Sequence, residues 1–331
     1  MHDVTEEVST PERYRRWALV EARETSPVYE RLALTVAEHP PTVDLLARVD
    51  GPQRQPNLFF GALRWYDAPV ENPDAALAWA VGHADEVLGI LTTRRTQTNE
   101  ATRCAALLPA LAVVAAQQNR PLALVELGSS AGLCLLYDRY SYAYRSEDGT
   151  VHRVGPAGSR LELRCDLSGP APVPHRVPVI GWRAGVDLAP IDPGDPDARR
   201  WLGCLVWPEH ADRAEVLAAA MDLAATDPPR MVRADFVQGL VQLLREVPPG
   251  TTPVVVHSAA LAYAPAEVRE EVLRVCTQAG ARRVGAEGRS VLPSVAQASP
   301  AADPVKADLL VSIDDRAVAA MHPHGRWLHW F

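Results

Sequence analysis

The sequence predicts an α/β protein, a doubly wound sheet preceded by a helical region. Three observations predict it. Strand-like and helix-like runs alternate from residue 121 onward, the pattern of parallel strands joined by crossover helices. No run before residue 120 alternates apolar and polar residues as a strand does. The first clear strand, Leu122–Leu127, carries Glu126 near its end and enters a small-residue turn, Gly128-Ser129-Ser130-Ala131-Gly132. An apolar, helix-like segment over 130–140 follows. Strand, tight glycine turn and helix together make a nucleotide-type site, because the turn admits a ligand to the backbone and the helix start offers free N–H groups.

The elements follow in order. Thr10-Pro11 reads as a helix cap with proline just inside, and Tyr14, Trp17 and Ala18 continue at helical spacing. Ser26-Pro27 and Asn72-Pro73 start further helices, and the apolar run 101–117 is another, with Thr98 or Asn99 as its cap. These form a helical N-terminal region, 1–118. The α/β domain, 119–331, is interrupted at 141–178, where Asp148-Gly149 between short apolar runs signals a β-hairpin insertion, placed near the edge of the ligand site. Later strands are expected at 179–187, ending in Asp187, at 230–236, containing Asp235, and at 252–257, ending in His257. A helix over 266–279, closed by Gly280, leads to a strand at 282–286 and a terminal strand pair.

Composition narrows the function. With 331 residues, the chain can build one large domain or two ordinary ones. A hydrophobic content of 47% and a charged content of 22% are those of a globular protein. The net charge of −8 argues against nucleic acid as a partner and favours a small molecule. The five cysteines form no Cys-x-x-Cys pair and read as buried reduced thiols of a cytoplasmic protein. The polar, acidic N-terminus predicts no signal peptide, and the longest apolar stretch, Cys104–Ala116, is too short to span a bilayer. Nothing in these features sets the oligomeric state.

The glycine turn spells three motifs. Two of the three glycines of a nicotinamide fingerprint are missing, since Ser130 and Leu133 stand in their places. Gly-x-Ser-x-Gly is also the elbow of a serine hydrolase, with Ser130 as nucleophile, Asp235 or Asp303 as acid, and His257, His322 or His324 as base. Against it, a hydrolase elbow normally follows several strands, and no His-Gly-Gly-like oxyanion loop precedes this one.

Residues 121–260 resemble the class I S-adenosylmethionine-dependent methyltransferase fold, a Rossmann-like sheet whose first strand ends in Glu/Asp-x-Gly-x-Gly-x-Gly. Glu126, Gly128 and Gly132 match, and Ser130 replaces the middle glycine. The resemblance implies S-adenosylmethionine as cofactor, bound by Glu126, Gly128, Ser129, Ser130 and Gly132. Gly185-Val-Asp187 would supply the ribose ligand, and Asp235-Phe236 would meet the adenine. His257-Ser258 would lie nearest the methyl group, with His257 as base for a small-molecule acceptor. Asn99 and Glu100 would reach over the cofactor mouth. Asp187 stands well beyond the usual spacing of about twenty residues from the glycines, so Asp166 is the other choice for the end of the second strand. A non-catalytic, nucleotide-binding member of the fold is a further alternative.

The whole chain also resembles a bacterial family, domain of unknown function 2332, common in actinobacteria. The matching segments are Gln97–Glu100, Val125–Tyr140, Gly185–Asp192, Val206-Trp-Pro208, His257-Ser258 and His322–Trp327. Where that family has Asn after the glycines, this chain has Cys134. The resemblance implies no established activity. His322, His324 and His329 lack a clear fourth ligand, so no metal is expected.

Overall fold

The computed structural model describes residues 8–97, 99–297, 299 and 309–331. Thr98 and Asp303, named above as a helix cap and a hydrolase acid, lie outside the described residues. The chain divides into two compact units, Met1–Thr98 with Pro196–Glu215 and Asn99–Asp195 with Val216–Phe331.

The helices in chain order are α1 (Thr10–Trp17), extended by a π-helical turn Ala18–Ala22, α2 (Pro27–Ala37), α3 (Pro40–Leu46), α4 (Pro56–Trp65), α5 (Pro73–Gly82) and α6 (Ala84–Thr93). Then come α7 (Arg103–Gln118), α8 (Pro196–Leu205), α9 (Ala211–Thr226), α10 (Phe236–Glu246), α11 (Ala266–Gln278) and α12 (Pro293–Gln297). Proline is the first residue of α2, α3, α4 and α5, where its missing N–H costs nothing. Ser26 and Asn72 cap α2 and α5 by accepting from the N–H groups of Tyr29 at 3.1 Å and Ala75 at 3.2 Å. The first cap falls one residue earlier than expected, on Ser9. The helical unit is built on aromatic rings. Trp17 and Tyr29 pack on Trp207, with ring centroids 5.3 and 5.9 Å apart, and Trp201 lies in the same core.

The second unit carries the strands β1 (Leu122–Leu127), β2 (Ser141–Arg145), β3 (Val151–Val154), β4 (Glu162–Ser168), β5 (Ile180–Asp187) and β6 (Arg230–Arg233). They continue as β7 (Thr252–Ser258), β8 (Arg282–Glu287), β9 (Leu309–Ile313), β10 (Arg316–Met321) and β11 (Trp327–Trp330). No strand precedes β1 among the described residues. All eleven lie in one mixed sheet, ordered β3-β2-β4-β11-β10-β9-β8-β7-β1-β5-β6. From β8 through β7, β1 and β5 to β6 every pairing is parallel. β1 is buried along its whole length, as a central strand with both faces covered must be. On one face α10 packs against β1 and β5 and α11 against β8; on the other, α7 packs against β4, β8 and β9.

The structure departs from two expectations. The hairpin at 141–178 forms, as β2 and β3, but it is not an appendage near the ligand edge. With β4 it joins the main sheet through β11, making the three outermost strands at the end opposite β6, so the sheet is mixed and larger than expected. The helix expected over 130–140 does not form. A single 3₁₀ turn, Leu133–Leu135, stands in its place. Residues 131–137 are all buried, so their apolar run reflects burial on every side rather than one helix face. The left-handed φ values of Ser130 (+50°) and Gly132 (+73°) also stop a right-handed helix from starting there.

Candidate functional site

The carboxyl ends of β1, β5, β7 and β8 collect most of the residues singled out by the sequence. In the sheet, β5 and β6 lie on one side of β1 and β7 and β8 on the other, so the order of the parallel strands reverses at β1.

The glycine turn after β1 is held by backbone and side-chain bonds. The N–H groups of Gly128 and Ser129 donate to Val186 O at 2.9 and 3.2 Å, and the Ser129 hydroxyl donates to the same oxygen at 3.2 Å. The Asn99 amide spans the turn, donating to Ser129 O and accepting from Leu133 N–H, both at 2.9 Å. Asn99 is therefore no helix cap; α7 starts only at Arg103. Asp187 ends β5 as expected. Its Oδ2 accepts from Ser130 N–H and its Oδ1 from Ala189 N–H, both at 2.8 Å.

The turn's glycines answer to the protein's own packing. A Cβ on Gly128 would meet Ala260 Cβ at 2.8 Å, with Phe236 Cε1 at 3.9 Å, and one on Gly132 would meet Pro229 Cγ at 2.5 Å. Phe236 is thus brought to the turn. Asp235 is not: it is exposed and caps α10, accepting from Gln238 N–H at 2.9 Å.

Strand alternation divides the site between the sheet's two faces. Glu126 pairs in register with Val256, and Leu127 with His257, so Glu126 shares a face with Ser258 while His257 lies on the other. On the α7 face, Glu126 is 3% exposed and its Oε2 has no partner. Burial pushes its carboxyl well above the usual range; Cys134 and Asp187 push the same way and Arg103 opposes. Cys134 donates its thiol to Glu100 O at 3.3 Å, and all five cysteines are buried and unpaired.

Arg103, in the first turn of α7, is 8% exposed. Its Nε donates to Pro323 O at 2.7 Å, and its Nη1 donates to Ser258 O at 3.0 Å and Ser258 Oγ at 3.2 Å. The turn bearing Pro323 packs tightly on this segment: a Cβ on Gly325 would meet Thr102 O at 2.4 Å. Glu100, also buried, has its Oε2 3.4 Å from His324 Nδ1.

On the opposite face, His257 is 1% exposed and its ring lies over Gly285, where a Cβ would meet it at 2.2 Å. Its Nδ1 is 2.9 Å from Glu287 Oε1, which also accepts from the N–H groups of Ala260 at 3.2 Å and Leu261 at 3.1 Å. A carboxylate oxygen accepts, so Nδ1 is the donating nitrogen of this pair. Between His257 and this turn, Ala259 holds a φ of +51°, beside Ser130 at +50°. Two side-chain-bearing residues in the left-handed region at neighbouring strand ends mark local strain.

Arg103 and Glu287 are the residues sequence reasoning missed. Glu287 closes β8 after the small and apolar run Val284-Gly-Ala286, as Glu126 comes near the end of β1, and that likeness was the available signal. The elbow geometry of a hydrolase is incomplete: Ser130 Oγ is buried and has no hydrogen-bond partner, so no histidine rests on it. His322 Nδ1 accepts from His324 N–H at 3.0 Å, while His329 Nδ1 meets Ser168 Oγ at 2.8 Å. Among the described residues no group of three His, Cys, Asp or Glu side chains is placed to hold a metal, and no helix is long and apolar enough to cross a membrane.

Fold and site define a mixed α/β protein with a buried, ionisable cluster at the ends of its parallel strands. The chain belongs to a bacterial family, the uncharacterized proteins conserved in bacteria designated DUF2332, which matches residues 11–330. No curated protein and no solved structure matches it.

Proposed function

We propose that the sheet unit is a class I methyltransferase-like, doubly wound domain that binds S-adenosylmethionine at the ends of β1 and β5 and transfers its methyl group to a small-molecule acceptor. The observation that carries this reading is Glu126: a buried carboxyl with an unpartnered oxygen beside the point where the strand order reverses. In a doubly wound sheet of order 3-2-1-4-5, that point is where ligands bind, and β6-β5-β1-β7-β8 follows that order.

The donor set fits the cofactor in part. Glu126 would hold the polar methionyl end. Asp187 is already oriented by the turn's N–H groups, and each of its oxygens keeps a lone pair for a ribose hydroxyl. Phe236 offers a ring beside Gly128. Asp235 is taken up by its helix, and with no helix after the turn the site lacks that source of N–H groups. The cofactor supplies an electrophilic methyl group; the chain supplies position and orientation. His257 is the candidate base for an acceptor that must lose a proton.

Equilibrium dialysis with S-adenosylmethionine and S-adenosylhomocysteine tests the reading. Saturable binding that is weakened at least tenfold in Asp187→Ala is expected. Absence of binding at millimolar ligand contradicts it. Binding with no transfer to any acceptor in a small-molecule panel would favour the non-catalytic alternative.

A further inference from the structure

A second concave surface lies at the other end of the sheet unit. This groove has a volume of about 650 Å³, within the roughly 300–1,000 Å³ of small-molecule sites. It is built at the start of β8 and the turn between β9 and β10, whereas the glycine turn follows the end of β1, to which β7 and β8 run parallel. Part of its lining is apolar: Val113 of α7, Ile313 of β9, Val318 of β10 and the half-buried indole of Trp330 on β11. The rest is charged, and the charges do not cancel. Asp314 accepts from Arg282 Nε at 2.7 Å and from the Arg283 N–H at 2.9 Å. Asp315 pairs with the Arg283 guanidinium. Both acids are therefore taken up. Arg282 is also held at Nη1 by Gln117 Oε1 at 2.9 Å, which leaves its Nη2 without a partner among the described residues. Arg316 stands directly across from Ile313 in the β9–β10 pairing. It is exposed and makes no hydrogen bond or ion pair among the described residues.

We infer that this groove binds a small organic carboxylate with a flat apolar body, its ring against Trp330 and Val318 and its carboxylate on Arg316 and Arg282 Nη2. A guanidinium presents donors in a fork that matches a carboxylate. Arg282, clamped by Asp314 and Gln117, is pre-organised, so little side-chain freedom is lost there on binding. An inorganic anion would leave the apolar lining uncovered, and an uncharged ring would leave both guanidinium groups unanswered. The inference is independent of the proposed methyl transfer, because no residue of the groove belongs to the glycine turn or to the carboxyl ends of β5 and β7.

Calorimetry on the full chain tests this with three probes: 2-naphthoate, its uncharged amide and inorganic phosphate. 2-Naphthoate should saturate a single site and bind about tenfold or more tightly than either of the others. Arg316→Gln should erase the preference for acid over amide, and Arg316→Lys should restore part of it. Trp330→Leu should weaken 2-naphthoate about fivefold. Asp187→Ala, at the far end of the sheet, should leave its affinity unchanged. Circular dichroism checks that each variant is folded. Equal binding of acid and amide overturns the inference, and so does equal binding of 2-naphthoate and phosphate. Wild-type affinity in Arg316→Gln, or no binding of 2-naphthoate by folded wild type at millimolar concentration, overturns it as well. Loss of 2-naphthoate binding in Asp187→Ala would place the probe at the carboxyl ends of the strands and overturn it too. None of these outcomes bears on S-adenosylmethionine binding, so the two readings fail separately.

Discussion

Glu126 and Glu287 are two buried acids at the ends of parallel strands in one sheet, both 3% exposed, and their surroundings differ sharply. Glu287 gathers His257 Nδ1 and the N–H groups of Ala260 and Leu261 on one oxygen, and so ties the end of β8 to the turn after β7. Both acids keep an unpartnered Oε2, but Glu126 accepts no hydrogen bond on its other oxygen either among the described residues; it has two thiols and two tyrosines in its neighbourhood, and a cation that is nearby but not paired with it. The first acid builds the structure. The second is a cost to the structure, of the kind that a binding site carries.

The largest expected effect lies with Glu287. Glu287→Ala strands three buried donors, and urea denaturation should show a loss of about 3–5 kcal/mol. A loss below about 1 kcal/mol would erase the contrast.

Glu126→Gln should behave in the opposite way. The folded carboxyl holds its proton well above the ordinary value of 4.5 that applies in the unfolded chain. Above that value the folded state binds more protons than the unfolded one, so Glu126 lowers stability as pH rises, by up to ~1.4 kcal/mol per pH unit. Between pH 5 and 7 the variant should therefore gain on wild type as pH rises. Parallel stability curves for the two proteins would show that Glu126 is already paired.

Asn99→Ala removes both bonds that clamp the glycine turn, and thermal melts should register a loss of about 1–3 kcal/mol. An unchanged melting temperature would show that the turn stands without its clamp. The smallest effect belongs to Ser130→Gly. It relieves a left-handed φ but frees the unfolded chain, so a gain of no more than ~1 kcal/mol is expected. A clear loss would mean that the Ser130 hydroxyl has a partner in solution.

Much of the sheet was legible from sequence because β-branched runs such as Thr252–His257, bounded by turns, form strands wherever they pair. The parallel order follows from the crossover helices between β6, β7 and β8. The segment 130–140 was not legible, since an apolar run with no polar face fits a buried loop as well as a helix, and only tertiary bonds from Asn99 and Glu100 decide between them. The joining of β4 to β11 was equally hidden, because strands far apart in sequence carry no local mark of their pairing. At the site, Glu126, Asp187 and His257 were visible as polar residues closing apolar strands. Arg103 was not, because at the start of an apolar helix it reads as a solvated charge until Pro323 and Ser258 close over it.

The most direct measurement is a side-by-side calorimetric titration of S-adenosylhomocysteine into wild type, Glu126→Gln and Glu287→Gln, each shown to be folded by circular dichroism at the titration temperature. Wild type should bind, Glu126→Gln should lose at least tenfold in affinity, and Glu287→Gln should stay within about threefold of wild type. Wild-type affinity in Glu126→Gln, or no binding by the wild type, would contradict the assignment of Glu126 to a ligand.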